Sequence, residues 1–586
     1  MAVLISGNEA IARGAYRAGV TVATGYPGTP STEILENVVR YKSEIYCEWA
    51  PNEKVALEVA AGASLTGARA IVTMKHVGLN VAADPLMTLA YIGMVGGLVI
   101  CVADDPGMHS SQNEQDSRHY ARFAKIPVLE PSDSQEAYDF VALGLDISEE
   151  FHTPVILRTT TRVSHSRSLV TEIARALPVR PIGFVKDPPR FVPIPVWGRV
   201  MRVKVEERLH ALAQAAATSP ANRIEPRGTA LGIITSSIAY QYVREVFPDA
   251  SILKLGWAYP FPDALIRTFV AGVERVLIVE ELDDILEEHV KALGIACDGR
   301  TLVPGVGELS LSRVFAVRDR LEGREPTFRT PVPQADDLPA RPPVLCPGCP
   351  HRGVFAALGK HDVVVTGDIG CYSLGVFPPL SRTDAILCMG GGITMAHGMD
   401  KAGEPKKVVG IVGDSTFFHS GITGLLDIAY NRGTSTIIVV DNRTTAMTGH
   451  QDHPGTGQTL MGEKTTAVSI EEVGRACGVR HIQRIVPYDL TATFAAIDEA
   501  LNTPEPSLIV SVAPCPLHER KRVGEIRYIE RTKCKTCKAC LKLGCPAIEF
   551  MVGAPPHINA QLCNGCSLCE QVCKFEAVTL GGELCV

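Results

Sequence analysis

The sequence predicts an α/β protein with three doubly wound domains and a small cysteine-rich domain. Short apolar runs alternate with amphipathic helical patterns over most of the 586 residues, as in parallel sheets covered by helices. Two proline-rich stretches, 178–195 and 326–343, predict linkers. Nine of the 18 cysteines lie between Cys534 and Cys585, which defines the small domain. The predicted domains are 1–177, 196–325, 344–522 and 523–586.

Composition narrows the class of protein. Hydrophobic residues make up 46% and charged residues 21% of the chain, as in packed globular domains. The net charge of −7 argues against nucleic acid as a partner, because phosphate binding needs a concentrated basic face. No apolar run reaches the ~18 residues of a membrane span, and the N-terminal residues lack the pattern of a secretion signal. We expect a soluble cytoplasmic protein, with no membrane association, whose cysteine-rich domain binds metal.

The individual elements follow from hydrophobic periodicity. In the first block we predict strands over 20–24, 70–74, 98–103 and 155–158, and helices over 8–18, 31–39, 52–66 and 134–147. The second block begins with a lone helix over 200–217, followed by strands over 230–235, 251–255 and 275–280 and a helix over 238–247. In the third block the predicted strands are 362–366, 408–412, 436–440 and 507–512, with a helix over 421–430.

The cysteine-rich domain carries two spaced motifs. They are Cys534-x2-Cys537-x2-Cys540-x4-Cys545-Pro546 and Cys563-x2-Cys566-x2-Cys569-x3-Cys573. This is the spacing of bacterial two-cluster ferredoxins, in which the fourth cysteine of each motif binds the other cluster. Cluster A would take Cys534, Cys537, Cys540 and Cys573, and cluster B would take Cys563, Cys566, Cys569 and Cys545.

Two features of this domain depart from the ferredoxin pattern. Four residues instead of three precede Cys545, and Lys574 stands where a proline is usual. The alternative is a pair of zinc ribbons, although these normally have two CxxC pairs and a longer spacer. Cys585 is expected to bind neither cluster. We therefore predict two [4Fe–4S] clusters in a small α+β domain.

The third block carries a candidate magnesium and diphosphate site. Gly413-Asp414-Ser415 follows one predicted strand, and Asp441-Asn442 follows the next. The side chains of Asp414 and Asn442 then project at the carboxyl edge of the sheet, where open α/β sheets bind ligands. Asp414, Asn442 and a backbone carbonyl near Thr444 supply the oxygen ligands that Mg²⁺ prefers. Two plain turns at the strand ends are the alternative, because Asp and Asn favour turns.

This pattern is similar to the metal–diphosphate signature of thiamine diphosphate enzymes, with Ser415 and Asp441 as departures from it. The glycines 390–392 would let the backbone approach that cofactor closely. The resemblance implies a carboxylate from a second domain that contacts the aminopyrimidine ring. Glu53, nine residues before Gly62, has the matching spacing, and Glu58 is the alternative.

Over its whole length the chain resembles 2-oxoacid:ferredoxin oxidoreductases, and within them the α subunits of the indolepyruvate branch. Besides the cysteine-rich domain, three segments carry the resemblance: Tyr26-Pro27-Gly28-Thr29-Pro30-Ser31-Thr32, Met74-Lys75-His76-Val77-Gly78-Leu79-Asn80 and Cys346-Pro347-Gly348-Cys349-Pro350-His351. The three large domains would then be a thiamine pyrimidine domain, a transketolase C-terminal-like domain and a diphosphate domain. The family's γ-type domain is absent here, which implies a smaller β subunit and an α2β2 assembly.

The resemblance implies a reaction and its cofactors. Indolepyruvate, coenzyme A and oxidised ferredoxin would give indole-3-acetyl-CoA, CO2 and reduced ferredoxin, with thiamine diphosphate, Mg²⁺ and [4Fe–4S] clusters as cofactors. Thr29 would lie near the substrate carbonyl, and His76 and Arg118 are guesses for the group that binds the substrate carboxylate. Another 2-oxoacid (pyruvate, a branched-chain acid or phenylglyoxylate) is one alternative. An electron-transfer subunit with a vestigial thiamine site is another.

A third cluster is also implied by the resemblance. The pyruvate and 2-oxoglutarate members hold a cofactor-proximal cluster with a CxxC pair, a Gly-Cys turn and a late Pro-Cys. Here the matching residues are Cys346, Cys349, Cys371 and Cys515. The alternative is a tight loop with buried cysteines that act as small hydrophobic residues.

Overall fold

The computed structural model describes residues 2–175, 182–326 and 343–581. The chain divides into two compact units, Met1–Ala335 and Asp336–Val586. Each unit contains two of the four predicted domains, so the finer division stays a prediction. Residues 178–181 of the first proline-rich stretch, 327–342 of the second, and Cys585 lie outside the described residues. Nowhere in the described ranges does a helix have the length and apolar character needed to cross a bilayer.

The first unit begins with a seven-stranded sheet and its covering helices. Its elements up to residue 175 are β1 (Ala2–Ser6), α1 (Gly7–Arg17), β2 (Val22–Gly25), α2 (Thr32–Val38), β3 (Tyr46–Trp49), α3 (Glu53–Leu65), β4 (Ala70–Lys75), α4 (His76–Val81), α5 (Ala83–Ile92), β5 (Leu98–Asp104), α6 (Arg118–Ala124), β6 (Val128–Leu129), α7 (Ser134–Phe151), β7 (Val155–Thr160), α8 (Thr161–His165) and β8 (Arg167–Thr171). β1 and β8 form a separate antiparallel pair. Strands β4, β5 and β7 are buried over their whole length, as expected for parallel strands covered on both faces.

The rest of the first unit forms a four-stranded sheet. Its elements are α9 (Pro188–Phe191), α10 (Pro195–Thr218), β9 (Asn222–Glu225), β10 (Gly228–Ser236), α11 (Ala239–Val246), β11 (Ala250–Leu255), β12 (Trp257–Tyr259), α12 (Asp263–Val270), β13 (Val276–Val279), α13 (Ile285–Ala292) and α14 (Leu311–Leu321). The strand order is β13-β10-β11-β9. β12 instead joins the first sheet, antiparallel to β6, so that the order there is β12-β6-β7-β5-β4-β2-β3.

The second unit is built on a six-stranded sheet in which every strand pair is parallel. Its elements up to residue 519 are α15 (His351–Leu358), β14 (Val363–Gly367), β15 (Ala385–Ile386), α16 (Gly391–Lys401), β16 (Lys407–Gly413), α17 (Asp414–Thr416), α18 (Ile422–Tyr430), β17 (Thr436–Asp441), α19 (Ile470–Ala476), β18 (His481–Ile485), α20 (Leu490–Asn502), β19 (Ser507–Val512) and α21 (Pro516–Glu519). The strand order is β15-β14-β16-β17-β19-β18. The strands β16 and β17 are therefore neighbours, as the motif spacing predicts.

The cysteine-rich segment contains little regular structure. Its elements are β20 (Arg527–Ile529), β21 (Ile548–Glu549), β22 (His557–Ile558), α22 (Leu568–Gln571) and β23 (Val578–Leu580). β20 pairs with β23, and β21 pairs with β22, both antiparallel. A small apolar core forms around Ala547, Ile558 and Val578, and Cys563 is buried in it.

The α/β class and the long periodic elements are confirmed, and the differences have local causes. The prediction that the first proline-rich stretch contains no regular helix is wrong for α9, which starts at Pro188, and α10 starts at Pro195. Proline is tolerated in the first helical turn, where its missing N–H would have no partner. The short strands β3 and β6 were not predicted, because two to four residues carry no clear periodicity.

Candidate functional site

The sheet edge after β16 and β17 brings together the predicted magnesium ligands. Asp414 follows β16 directly, Asn442 follows β17, and the two strands pair in register at Gly413 and Val440. Asp414, Asn442 and Thr444 are all buried. The Oδ1 atom of Asn442 accepts a hydrogen bond from the backbone N–H of Thr444 at 3.3 Å. These oxygens are the type of donor that Mg²⁺ selects, so the residues fit a magnesium ion.

The charges at this edge are unbalanced. Asp414 and Asp441 lie against each other, and His453 Nε2 lies 3.1 Å from Asp414 Oδ2. Burial, followed by the negative charge of Asp414, raises the pKa of Asp441 to about 7. Burial also works to raise the pKa of Asp414, but the nearby His453 outweighs it and the pKa is lowered. Asp414 thus faces one imidazole, and Asp441 faces the partly exposed Arg443 at 3.4 Å. A divalent cation would relieve the repulsion between the two buried carboxylates.

The glycines 390–392 form the start of α16. Gly390 has a φ of 83°, and a Cβ at Gly392 would lie 2.7 Å from the backbone oxygen of Gly367. No larger residue fits there without displacing β14. The N-terminus of a helix of this length carries a partial positive charge, which suits a diphosphate.

Asp368, which directly follows β14, was not predicted as a site residue. It accepts a hydrogen bond from the N–H of Gly392 at 3.2 Å. Burial raises its pKa to about 7, even though the backbone N–H groups of Ile369, Gly392 and Gly390 work to lower it. Sequence spacing could have suggested Asp368, because it also follows a buried strand of this sheet. His453 lies in a long loop and has no such signal.

In the first unit, Glu53 is buried at the start of α3. The preceding Asn52 caps this helix by accepting a hydrogen bond from Val55 N–H at 3.0 Å. A Cβ at Gly78 would lie 2.5 Å from Glu53 Oε1, so the start of α4 passes directly over the carboxylate. Glu58 is exposed and pairs with Lys54. The geometry favours Glu53 over Glu58 as a carboxylate held in a protected site.

Thr29 lines an open cavity in the first unit. The other lining residues are Pro30, Asp105, His109, Ser110, Thr161, Arg162, His165 and Ser166. Gly28 packs against Lys75, where a Cβ would lie 3.0 Å from the lysine Cβ. Burial lowers the pKa of Lys75 to about 8, although the nearby Asp105 works in the opposite direction. Lys75 is therefore a buried cation beside the turn that carries Thr29.

The two guesses for the carboxylate-binding group differ in the structure. Arg118 is buried, and its guanidinium donates to Asp116, to Glu280 and to two backbone carbonyls. All three guanidinium nitrogens are engaged by these partners, so Arg118 is a structural ion-pair residue. His76 is also buried, and neither ring nitrogen has a hydrogen-bond partner among the described residues.

The cysteines of the small domain line two separate cavities. One is lined by Cys545, Cys563, Cys566 and Cys569, together with Gly348 and Arg352. The other is lined by Cys534, Cys537, Cys540 and Cys573, together with Lys535 and Lys538. We call them cavity B and cavity A. Each contains the same four cysteines as the corresponding predicted cluster, so the donor set of each cavity fits a [4Fe–4S] cluster.

The remaining four candidate cysteines also lie close together. Burial, followed by the neighbouring thiols of Cys515 and Cys346, raises the pKa of Cys371 to about 11. Cys349 is a neighbour of both Cys371 and Cys346. The backbone N–H of Cys515 donates to the carbonyl of Asn442 at 2.9 Å. This four-cysteine set, which we call the proximal set, therefore lies next to the candidate magnesium ligands.

Across the described ranges, no three or more His, Cys, Asp or Glu side chains converge tightly enough to hold a single metal ion.

Comparisons with known proteins cover the whole chain. Residues 368–511 match a family model described as "Thiamine pyrophosphate enzyme, C-terminal TPP binding domain". Residues 13–183 match one described as "Pyruvate flavodoxin/ferredoxin oxidoreductase, thiamine diP-bdg". A 2-oxoglutarate:ferredoxin oxidoreductase structure from Magnetococcus marinus covers 55% of this chain and 65% of its own, at 16% identity and a TM-score of 0.44.

Several relatives are similar over nearly the full length and carry the name indolepyruvate oxidoreductase subunit IorA. The protein from Methanothermobacter marburgensis is 41% identical over 99% of this chain and 98% of its own. The one from Pyrococcus horikoshii is 42% identical over 98% and 96%, and the one from Archaeoglobus fulgidus is 39% identical over 98% and 97%. The chain belongs to this family of indolepyruvate oxidoreductase subunits, enzymes with thiamine diphosphate-binding domains.

Proposed function

We propose that this chain is the catalytic α subunit of a ferredoxin-dependent enzyme that oxidatively decarboxylates arylpyruvates. Indolepyruvate, coenzyme A and oxidised ferredoxin would give indole-3-acetyl-CoA, CO2 and reduced ferredoxin. One observation carries the proposal: a single sheet edge holds both the cation-poor Asp414 site and, beside Asn442, the proximal set of four cysteines. Decarboxylation and the first electron transfer would therefore take place side by side.

The residues of the second unit would hold the thiamine cofactor. Asp414, Asn442 and the carbonyl of Thr444 would bind Mg²⁺, and Ser415 and the glycine-rich start of α16 would lie against the diphosphate. When bound, thiamine diphosphate supplies a nucleophilic carbon for the 2-oxo group and an electron sink for the loss of CO2. By the family resemblance, Glu53 would share a proton with the aminopyrimidine ring, a general acid–base role.

Lys75 is the best-placed cation for the substrate carboxylate. It is buried beside the Thr29 turn, and its ammonium group donates to the carbonyl of Ser110. Thr29 would donate to the 2-oxo oxygen, while Lys75 would offset the charge of the carboxylate. The assignment of an arylpyruvate as the substrate rests on the family to which the chain belongs.

The cysteines define an exit path for electrons. The proximal set and cavities B and A would each hold one [4Fe–4S] cluster. Cavity A carries Lys535 and Lys538, both exposed, and further exposed basic residues lie close to its cysteines in the sequence. Arg531, Lys533, Lys542 and Lys574 belong to this exposed basic group. In a chain of net charge −7 this is a local positive face, which suits an acidic ferredoxin by charge complementarity.

The assembly would contain a second, smaller subunit. The relatives are named as subunits, and the family resemblance assigns the γ-type domain to a β subunit in an α2β2 complex. Coenzyme A would accept the acyl group in that complex.

Iron analysis combined with a substrate panel tests the proposal. The purified complex should contain about twelve irons per chain if three clusters are present, and Cys515→Ala should lower this by about a third. Activity with indolepyruvate should exceed that with pyruvate, branched-chain acids and phenylglyoxylate, and should require the β subunit. A colourless protein with zinc in place of iron would contradict the cluster assignment. Purified complex that binds no thiamine diphosphate would instead favour a vestigial site.

The ferredoxin face can be tested separately. Lys535→Glu and Lys538→Glu should raise the KM for ferredoxin without changing the rate with a small viologen acceptor. Lys406→Glu, an exposed lysine on the α/β part of the same unit, is the matched control. Equal effects of all three variants would contradict this docking face.

A further inference from the structure

Arg352 is a buried cation that no carboxylate neutralises. It lies on the first turn of α15 and is only 2% exposed. Its guanidinium donates to the carbonyls of Leu543 at 2.7 Å and of Cys346 at 3.3 Å, and also to that of Leu345. Within the described parts of the chain, no Asp or Glu oxygen lies at ion-pair distance from it. The carbonyls satisfy its N–H groups but do not neutralise its charge.

A buried charge of this kind needs an anion. Removing an unpaired ion from water costs several kcal/mol even after the surroundings relax, and arginine does not lose its proton in proteins. The buried arginines of the first unit follow this rule, because Arg118 and Arg158 are each surrounded by carboxylates. For Arg352 the nearby groups that can carry negative charge are cysteine sulfurs.

These sulfurs belong to two different sets. Arg352 lines cavity B, and its guanidinium lies near Cys545 and Cys566 of that cavity. On its other side it lies near Cys346 and Cys349 of the proximal set. The guanidinium is therefore the positive charge between the two sets.

The loops that carry the two sets are in direct contact. A Cβ on Gly348, between Cys346 and Cys349, would lie 2.6 Å from the Cβ of Asn564, which follows Cys563. Gly348 has a φ of 70°, and its carbonyl accepts a hydrogen bond from the hydroxyl of Tyr488 at 2.8 Å. No other chain segment separates the loops, so an electron could pass directly from one set to the other.

We propose that Arg352 is a positioning residue for electron transfer: its fixed charge lies between the proximal set and cavity B and raises the reduction potential of the clusters bound there. This inference rests on the proposed function, because it requires iron–sulfur clusters at these cysteines. A cluster bound by four thiolates gains one negative charge on reduction, and a nearby cation stabilises the reduced form. One electron would leave the proximal cluster as the cluster in cavity B gains it, and the guanidinium would stay protonated throughout.

The test is a redox titration followed by EPR on the intact complex. In Arg352→Gln we expect wild-type iron content and a decrease of at least ten-fold in the equilibrium constant for reduction of the cavity B cluster. This corresponds to a potential about 59 mV lower for a one-electron couple. The proximal cluster should shift in the same direction, and the cavity A cluster should not change. Arg352→Lys keeps the charge and should restore most of the potential.

Arg527→Gln is the matched control. Arg527 also lines cavity B, but it pairs with Glu570 at 2.8 Å, so its charge is already balanced. Its removal should change the potential by much less than Arg352→Gln does. Equal shifts in both variants, or unchanged potentials in Arg352→Gln, would overturn the inference.

Loss of iron is also decisive. If Arg352→Gln loses the cavity B cluster while Arg352→Lys keeps it at the wild-type potential, the charge is required and the inference stands. If both variants lose it, Arg352 only holds the loops together, and the inference is wrong. The wild-type iron count separates these results from a failure of the proposed function. An iron content of about eight per chain would show that only the proximal cluster is absent. An iron content of zero would contradict the proposed function itself.

Discussion

The two units of the chain bury charge in opposite ways. In the first unit, Arg158 pairs with Asp104 at 2.6 Å and with Glu130, and Arg118 pairs with Asp116 at 2.6 Å. The positive charges of Arg118, followed by that of Arg158, lower the pKa of Asp116 although burial works against them. In the second unit, the carboxylates Asp368, Asp414 and Asp441 are equally buried, yet the pKa of two of them is raised to about 7.

This difference separates a structural network from a binding site. In the arginine network, each of the four carboxylates has a buried guanidinium at ion-pair distance, so the network stabilises the fold. At the edge of the second sheet, Asp414 faces one imidazole and Asp441 faces the partly exposed Arg443, and a bound cation would add positive charge there. Buried charge is therefore informative about function only when its balance is known.

The largest expected effect comes from Asp414→Asn. Losing one of few magnesium ligands should remove several kcal/mol of charge stabilisation, and activity should fall by at least about 10³-fold. Thiamine diphosphate occupancy should fall with it, while the iron content stays at the wild-type value. Full cofactor occupancy in this variant, measured on the purified complex, would contradict the metal assignment.

Glu53→Gln tests a buried carboxylate of the first unit that lies outside the arginine network and has a proposed catalytic role. The amide cannot share a proton with the cofactor ring, so kcat should fall by ~10²–10⁴-fold with the cofactor still bound. Glu58→Gln is the matched control on the exposed face of the same helix and should be near wild type. The reverse result would show that Glu58 is the residue that contacts the ring.

Asp116→Asn tests the arginine network. It would leave two buried guanidinium groups short of a partner, so the free energy of unfolding should fall by ~3–5 kcal/mol. Urea denaturation of protein without bound cofactor measures this. Asp414→Asn should destabilise the same cofactor-free protein much less, because the weakened contact with His453 is offset by relief of the repulsion from Asp441. Equal destabilisation by both variants would remove the distinction between the two regions.

The smallest effect is on pH dependence. Because the pKa of Asp368 is raised in the folded state, the native protein holds a proton there that the unfolded chain has lost. The free energy of unfolding should therefore fall by about 1.4 kcal/mol per pH unit between pH 4 and 7 from this group. Cofactor-free Asp368→Asn should lack this slope relative to wild type. Identical slopes in the two proteins would show that Asp368 is already ionised.

Sequence patterns predicted the candidate site residues best where those residues directly follow long, buried strands. Asp414 and Asn442 could be paired because buried parallel strands place their following residues at one edge. The cysteine sets followed from spacing alone, and the cavities contain the same residues. Arg352, His453 and the pairing of β12 with β6 were not predicted, because each depends on segments far apart in the chain that meet only in the folded protein. No periodicity or local motif encodes such contacts.

The contact between Gly348 and Asn564 also sets an order of events during synthesis. The two residues are roughly two hundred positions apart, so at 5–20 residues per second the ribosome makes the first loop about 10 to 40 s before the second. During that interval the nascent Cys346 and Cys349 lack the loop that later covers them. The proximal set is complete only once Cys515 has been made, so delivery of iron and sulfide to its four thiols would fall late in this interval, before the later segment folds over them.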